Sequence, residues 1–115
     1  VGQSDFAHSQ GNDDNQDDVY EDPTSRVFGW PYHLFSNGTQ LFVEDNNNSR
    51  ILIWNEIPTK NFSKADVVIG QENFTSGNGT TTARTLMYPS GITLYGNQLL
   101  VSDTSNSRVL IFNGE

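Results

Sequence analysis

From residue 30 onward, short runs of apolar and alternating residues are separated by clusters of Asn, Gly, Asp and Ser. The pattern predicts short strands joined by tight turns. First strands are expected at Tyr32–Ser36 and Ser90–Tyr95, each just after a proline. The dipeptides Asn37-Gly38 and Gly96-Asn97 supply residues that tolerate the positive φ of a hairpin turn. Second strands follow at Gln40–Glu44 and Gln98–Ser102, and third strands at Arg50–Asn55 and Arg108–Asn113. The third strands, Ile51-Leu52-Ile53-Trp54 and Val109-Leu110-Ile111-Phe112, are apolar at every position. Such runs fit a strand covered on both faces by neighbouring sheets. A fourth strand is predicted at Ala65–Gly70, and no segment has helical periodicity.

These elements occur twice because the sequence repeats. Trp30–Asn55 lies over Tyr88–Asn113 without gaps, with 12 of 26 positions identical. The identities include Pro31/Pro89, Asp45/Asp103, Asn48/Asn106, Ser49/Ser107, Arg50/Arg108 and Ile53/Ile111. A second correspondence precedes each copy: Val1-Gly2-Gln3-Ser4-Asp5-Phe6 matches Ile69-Gly70-Gln71-Glu72-Asn73-Phe74. The shift is 58 residues for the first alignment and 68 for the second. Ten extra residues therefore precede Trp30 in the first copy, within an Asn/Gln/Asp-rich stretch that reads as a solvated loop.

The repeated segments resemble NHL repeats of the secreted and bacterial type. The resemblance is carried by Tyr88-Pro89-Ser90-Gly91-Ile92, by Gln98-Leu99-Leu100-Val101-Ser102-Asp103, and by Asp-x-x-Asn-x-Arg-apolar at Asp45–Ile51 and Asp103–Val109. Ala65–Gln71 resembles the family's outer strand. The first copy departs in having His33 where the second has Gly91. The resemblance implies an all-β fold of two four-stranded antiparallel β-propeller blades. The expected divisions are an orphan outer-strand segment (1–6), an acidic loop (7–29), a first blade (30–71), a polar loop (72–87) and a second blade (88–115). The second blade lacks its fourth strand, to be supplied by the start of another copy or by further blades. Propellers have about 4–8 blades, and two alone leave apolar faces uncovered. The expected partner is therefore another copy, docking head to tail through Val1, Gly2, Gln3, Val109 and Ile111 into a ring or filament. The alternative is a two-blade excerpt of a longer propeller enzyme, lyase or hydrolase, whose missing blades complete a metal site. The first residue is Val1 rather than Met, so the sequence is expected to be a processed chain or a piece of a longer one.

Charge alters this picture at one place. The net charge is −8, and residues 1–22 hold seven acidic residues with no Lys or Arg. The six basic residues are scattered, which argues against nucleic-acid partners. No apolar run approaches the ~18 residues of a membrane span, so no membrane insertion is expected. Cysteine is absent, which removes disulfides and thiolate metal sites.

Asp45, Asn48, Arg50 and their counterparts Asp103, Asn106, Arg108 read as structural: Asp accepts turn amides, Asn takes the positive-φ position, and Arg bonds the Asp or a nearby carbonyl. Trp30, Trp54, Tyr88 and Phe112 occupy equivalent positions and read as blade-to-blade packing rather than a sugar platform. Five sequons, at Asn37, Asn47, Asn61, Asn73 and Asn78, all fall in predicted turns or loops. They point to covalent N-linked glycans and an extracellular or cell-surface location. Asp13, Asn15 and Asp17 are candidate calcium ligands, but an EF-hand loop counted from Asp13 would need Gly and Glu where Asp18 and Thr24 stand. His8 and His33 are too few for a His-rich metal site, and no catalytic triad spacing is present. The reading is a non-enzymatic scaffold without catalytic residues or cofactor. It leaves other protein or glycan partners unspecified.

Overall fold

Asn37 and Gly38 reverse the chain between β1 (Pro31–Ser36) and β2 (Leu41–Asp45), with Gly38 at φ +94°. In the computed structural model, which describes residues 1–114, a three-residue 3-10 turn then leads into β3 (Arg50–Trp54). β4 (Val67–Ile69) completes a four-stranded antiparallel sheet in the order β1-β2-β3-β4. The second copy builds β5 (Gly91–Tyr95), β6 (Gln98–Asp103) and β7 (Arg108–Asn113) into a three-stranded antiparallel sheet. The predicted strands are thus found, the fourth trimmed to three residues. Neither sheet closes into a barrel, and the helical content of the described residues is two short 3-10 turns.

Strand alternation decides the core. In the first sheet, Phe35, Phe42, Ile51, Ile53 and Ile69 share the face that meets the second sheet. Opposite them stand Ile92, Leu94, Leu99, Val101, Leu110 and Phe112, with Leu86 wholly buried between the sheets. The backbones of β1 and β5 come together across this interface. On the other face of the first sheet, Val43, Leu52 and Trp54 form a smaller cluster with Ala65, Phe28, Val68 and Phe74. Trp54 meets Phe28 edge-on, with ring centroids 6.0 Å apart. β3 is therefore buried at every residue, as its unbroken apolar run demands. β7 has the same composition but only one covered face, so Leu110 and Phe112 point inward while Val109 and Ile111 are exposed.

The stretch 7–29 is a loop without strand or helix, as expected, and Asn12, Asp13 and Val27 within it are buried. The aromatic residues expected to pack blade to blade divide. Phe112 packs between the sheets, and Trp54 packs on the opposite face of its sheet, whereas Trp30 and Tyr88 are about half exposed.

Candidate interaction surface

Asp45 ends β2 and Arg50 begins β3; they are register partners, and both side chains are wholly buried. Asp45 Oδ1 accepts the backbone N–H of Gly29 (2.8 Å) and Trp30 (3.2 Å), while Oδ2 accepts Arg50 Nε (2.9 Å) and Asn48 Nδ2 (2.7 Å). Arg50 Nη2 donates to the carbonyls of Thr24 (2.9 Å) and Val27 (2.8 Å), and Nη1 to the carbonyl of Phe74 (2.6 Å). Desolvation pulls the Arg50 guanidinium down from its ordinary value, and Asp45 opposes this. The second copy repeats the arrangement. Asp103 accepts Met87 N–H, Arg108 Nε and Asn106 Nδ2, and Arg108 Nη2 donates to the carbonyls of Thr82 and Thr85. Each Asp-Asn-Arg set therefore ties the segment preceding its sheet to the β2–β3 or β6–β7 corner. The amides accepted by Asp lie before the first strand, not in the turn. The positive-φ residues are Ser49 (51°) and Ser107 (54°), one place beyond the Asn expected there. Asn48 and Asn106 stay in the 3-10 turn, where their amides reach back to the Asp carboxylate three residues earlier.

The preceding segments are equivalent too. Gly2 lies against the Phe28 ring as Gly70 lies against Leu86, both with φ near +90°. Gln3 Nε2 donates to the Gln10 carbonyl, and Gln71 Nε2 to the carbonyl of Asn78, the matching residue. The N–H groups of Asn12 and Thr80 donate to the carbonyls of Phe28 and Leu86. Residues 13–23 stand where the second copy has Thr81 alone, which places the insertion. Asp13 holds it in shape by accepting the N–H groups of Asp17 and Asp18. Asp14 is held by Arg26 at 2.8 and 2.9 Å, which lowers its carboxyl to about 2. By the same correspondence Val1 matches Ile69, the last residue of β4, and Gly2–Phe6 match residues that follow that strand. Within residues 1–6, Val1 is thus the one residue at a β4 position.

Two apolar surfaces lie at opposite ends. On the second sheet, Val109 (63% exposed), Ile111 (55%) and Tyr95 (77%) share a face with Leu100. On the first sheet, Leu34 is 72% exposed and borders a cleft of about 380 Å³ lined by Val1, Gly2, Phe28, Leu41 and Val43. The self-association residues named from sequence are therefore split: Val109 and Ile111 at one end, and Val1, Gly2 and Gln3 at the other.

The remaining candidates are dispersed. Asn37, Asn61, Asn73 and Asn78 are exposed. Asn47 is half-buried, its amide donates to Tyr20 Oη (2.7 Å), and Ser49 of its sequon is wholly buried. Of the calcium candidates, Asp13 and Asn15 accept the N–H of Asp17, and Asp17 accepts that of Val19. No group of three or more His, Cys, Asp or Glu side chains converges to hold a metal ion among the described residues. His8 pairs with Asp5 at 2.8 Å. One pair escaped the sequence reading: His33 Nδ1 lies 3.0 Å from Glu44 Oε2, and Glu44 is wholly buried with Oε1 unpartnered. Burial pushes the Glu44 carboxyl up to about 7, with His33 acting in the opposite direction. Its signal was a lone acid at the inward-facing position after Phe42 in β2.

Fold and surface together define an all-β, tandem-repeat protein with exposed apolar faces. The NHL repeat family model matches residues 86–112. The chain thus carries an NHL repeat, which supports its assignment to the NHL-repeat family and suggests a β-propeller-type interaction domain. The first copy lies outside that match, and its kinship rests on the identities and shared hydrogen bonds above. No curated protein and no solved structure matches the chain.

Proposed function

We propose that this protein is a non-enzymatic, N-glycosylated extracellular scaffold whose two sheets act as propeller blades and associate head to tail with further copies. One observation carries the reading. The outward faces at the two ends are opposite sides of the interface that joins the sheets within the chain. Val109 and Ile111 occupy the repeat positions of Ile51 and Ile53, which the second sheet covers. Leu34, Leu41 and Val43 occupy those of Ile92, Leu99 and Val101, which the first sheet covers. A contact between unlike surfaces propagates into a ring or a filament.

Glycan attachment is supported by the exposure of Asn37, Asn61, Asn73 and Asn78. Asn47 is the expected exception, because a glycan on its amide nitrogen would displace the bond to Tyr20 and Ser49 is out of reach in the fold. Peptide mass analysis of native material tests this: modification at those four sites is expected, and five unmodified asparagines would remove the extracellular assignment. Light scattering of the native particle tests assembly. The expected mass is a multiple of the 12.8 kDa polypeptide plus glycan, and a strict monomer would refute the scaffold.

A further inference from the structure

Within the chain, the corner Asn48-Ser49-Arg50 is sealed by the segment that follows β4. Gln71 Nε2 donates to the Ser49 carbonyl (3.0 Å), Tyr88 N–H to Ser49 Oγ (3.1 Å), and the Phe74 carbonyl accepts Arg50 Nη1. All three corner residues are buried. At the equivalent corner, Ser107 is exposed and Asn106 and Arg108 are half-buried. No described residue offers Arg108 Nη1 a carbonyl as Phe74 does for Arg50.

The residues equivalent to this seal are present at the other end. Gln3 matches Gln71, Trp30 matches Tyr88 and Phe6 matches Phe74. Phe6 is fully exposed, whereas Phe74 is half-buried against the cluster of Val43, Leu52, Trp54 and Ala65. The segment bearing Gln3 and Phe6 already holds the conformation of its counterpart at the glycine, Gln and Asn12 contacts described above. A docking partner would meet a preformed clasp and need order little backbone.

We infer that residues 1–6 of one copy clasp the Asn106-Ser107-Arg108 corner of the next, in the register that residues 69–74 adopt on Asn48-Ser49-Arg50. This rests on the self-association reading and specifies its contacts. Gln3 Nε2 donates to the Ser107 carbonyl, the Phe6 carbonyl accepts Arg108 Nη1, and Val1 pairs with Val109 as Ile69 pairs with Ile51. The Phe6 ring packs against Val101, Leu110 and Phe112, the counterparts of Val43, Leu52 and Trp54. The apolar face of Val109, Ile111 and Leu100 then closes over Leu34, Leu41 and Val43 of the clasping copy.

The test uses the full glycosylated chain in sedimentation velocity. Leu34→Asp and Ile111→Asp each spoil one face and spare the other, at side chains more than half exposed in the single chain. Each variant alone should be monomeric, while an equal mixture should form a one-to-one dimer and stop. Phe6→Ala, at a residue fully exposed in the single chain, should weaken association by about tenfold or more. Because the chain has no cysteine, Val1→Cys combined with Val109→Cys should give a ladder of disulfide-linked copies on oxidation. If the wild type assembles but Phe6→Ala assembles equally well and no ladder forms, the clasp is overturned and self-association stands. If the wild type stays monomeric up to about 100 µM, both fall. Near-ultraviolet circular dichroism of each variant must match the wild type, and the Cys pair gives an independent readout where a variant fails to fold.

Discussion

Arg50 and Arg108 hold the same repeat position and make the same bonds to Asp and to the preceding segment, yet one is wholly buried and the other a quarter exposed. Removing one partner of a buried pair costs about 3–5 kcal/mol, and a more solvated pair costs less. Glu44 presents the opposite case, a buried carboxylate with one oxygen unpartnered. Its folded value of about 7 lies above the ordinary 4.5. Below pH 4.5 both folded and unfolded forms carry the proton, so the contribution is fully present. Between pH 4.5 and 7 the unfolded carboxyl ionises first, and stability falls as pH rises through the folded value. Glu44→Gln removes this titration. Urea denaturation should show the variant gaining on the wild type by roughly 2–3 kcal/mol from pH 4.5 to pH 8. An equal pH dependence in both proteins would mean that Glu44 ionises freely in the folded state.

At the scale of elements, the segments preceding each sheet are as much a part of the repeat as its strands. Gly38 and Gly70 isolate that contribution, since both have φ +94°. A Cβ at Gly38 would meet nothing within 4 Å, whereas one at Gly70 would lie 2.6 Å from Leu86 Cδ1 and 3.0 Å from the Ser49 carbonyl. Gly38→Ala should cost about 1 kcal/mol from backbone strain alone. Gly70→Ala should cost a further ~1–3 kcal/mol by forcing the segment off Leu86, measurable as a larger drop in urea midpoint. The strands were legible because alternation and turn residues encode them locally, and Ile51–Trp54 declared its two covered faces through composition. The segment 7–29 was not legible in the same way. Asn12 is buried through its bonds to Asn48, 36 residues away, and no periodicity announces such a contact. A signal was present in Gly11/Gly79, Thr24/Thr82 and Arg26/Arg84, identities on both sides of the insertion that extend the repeat through the acidic stretch. The positive-φ position was misread by one residue because Asn is the commoner occupant of that conformation, while here its side chain is needed by the Asp.

For the whole molecule, the proposed association makes stability depend on concentration. A lone copy leaves Val109, Ile111, Leu34 and Phe6 against water, and docking buries one set against the other. The angle at such a junction is the angle already set between the two sheets, because the same repeat surfaces meet. If that angle closes a ring of about 4–8 blades, the particle holds two to four copies; otherwise it grows as a filament. In either case binding favours the folded state by mass action, so Tm should climb as the protein is concentrated. Leu34→Asp, blocked at one end, should melt at a Tm that does not move with concentration. Calorimetry over about a hundredfold range would separate the two. A wild-type Tm as constant as the variant's would show that the apolar ends do not meet in solution.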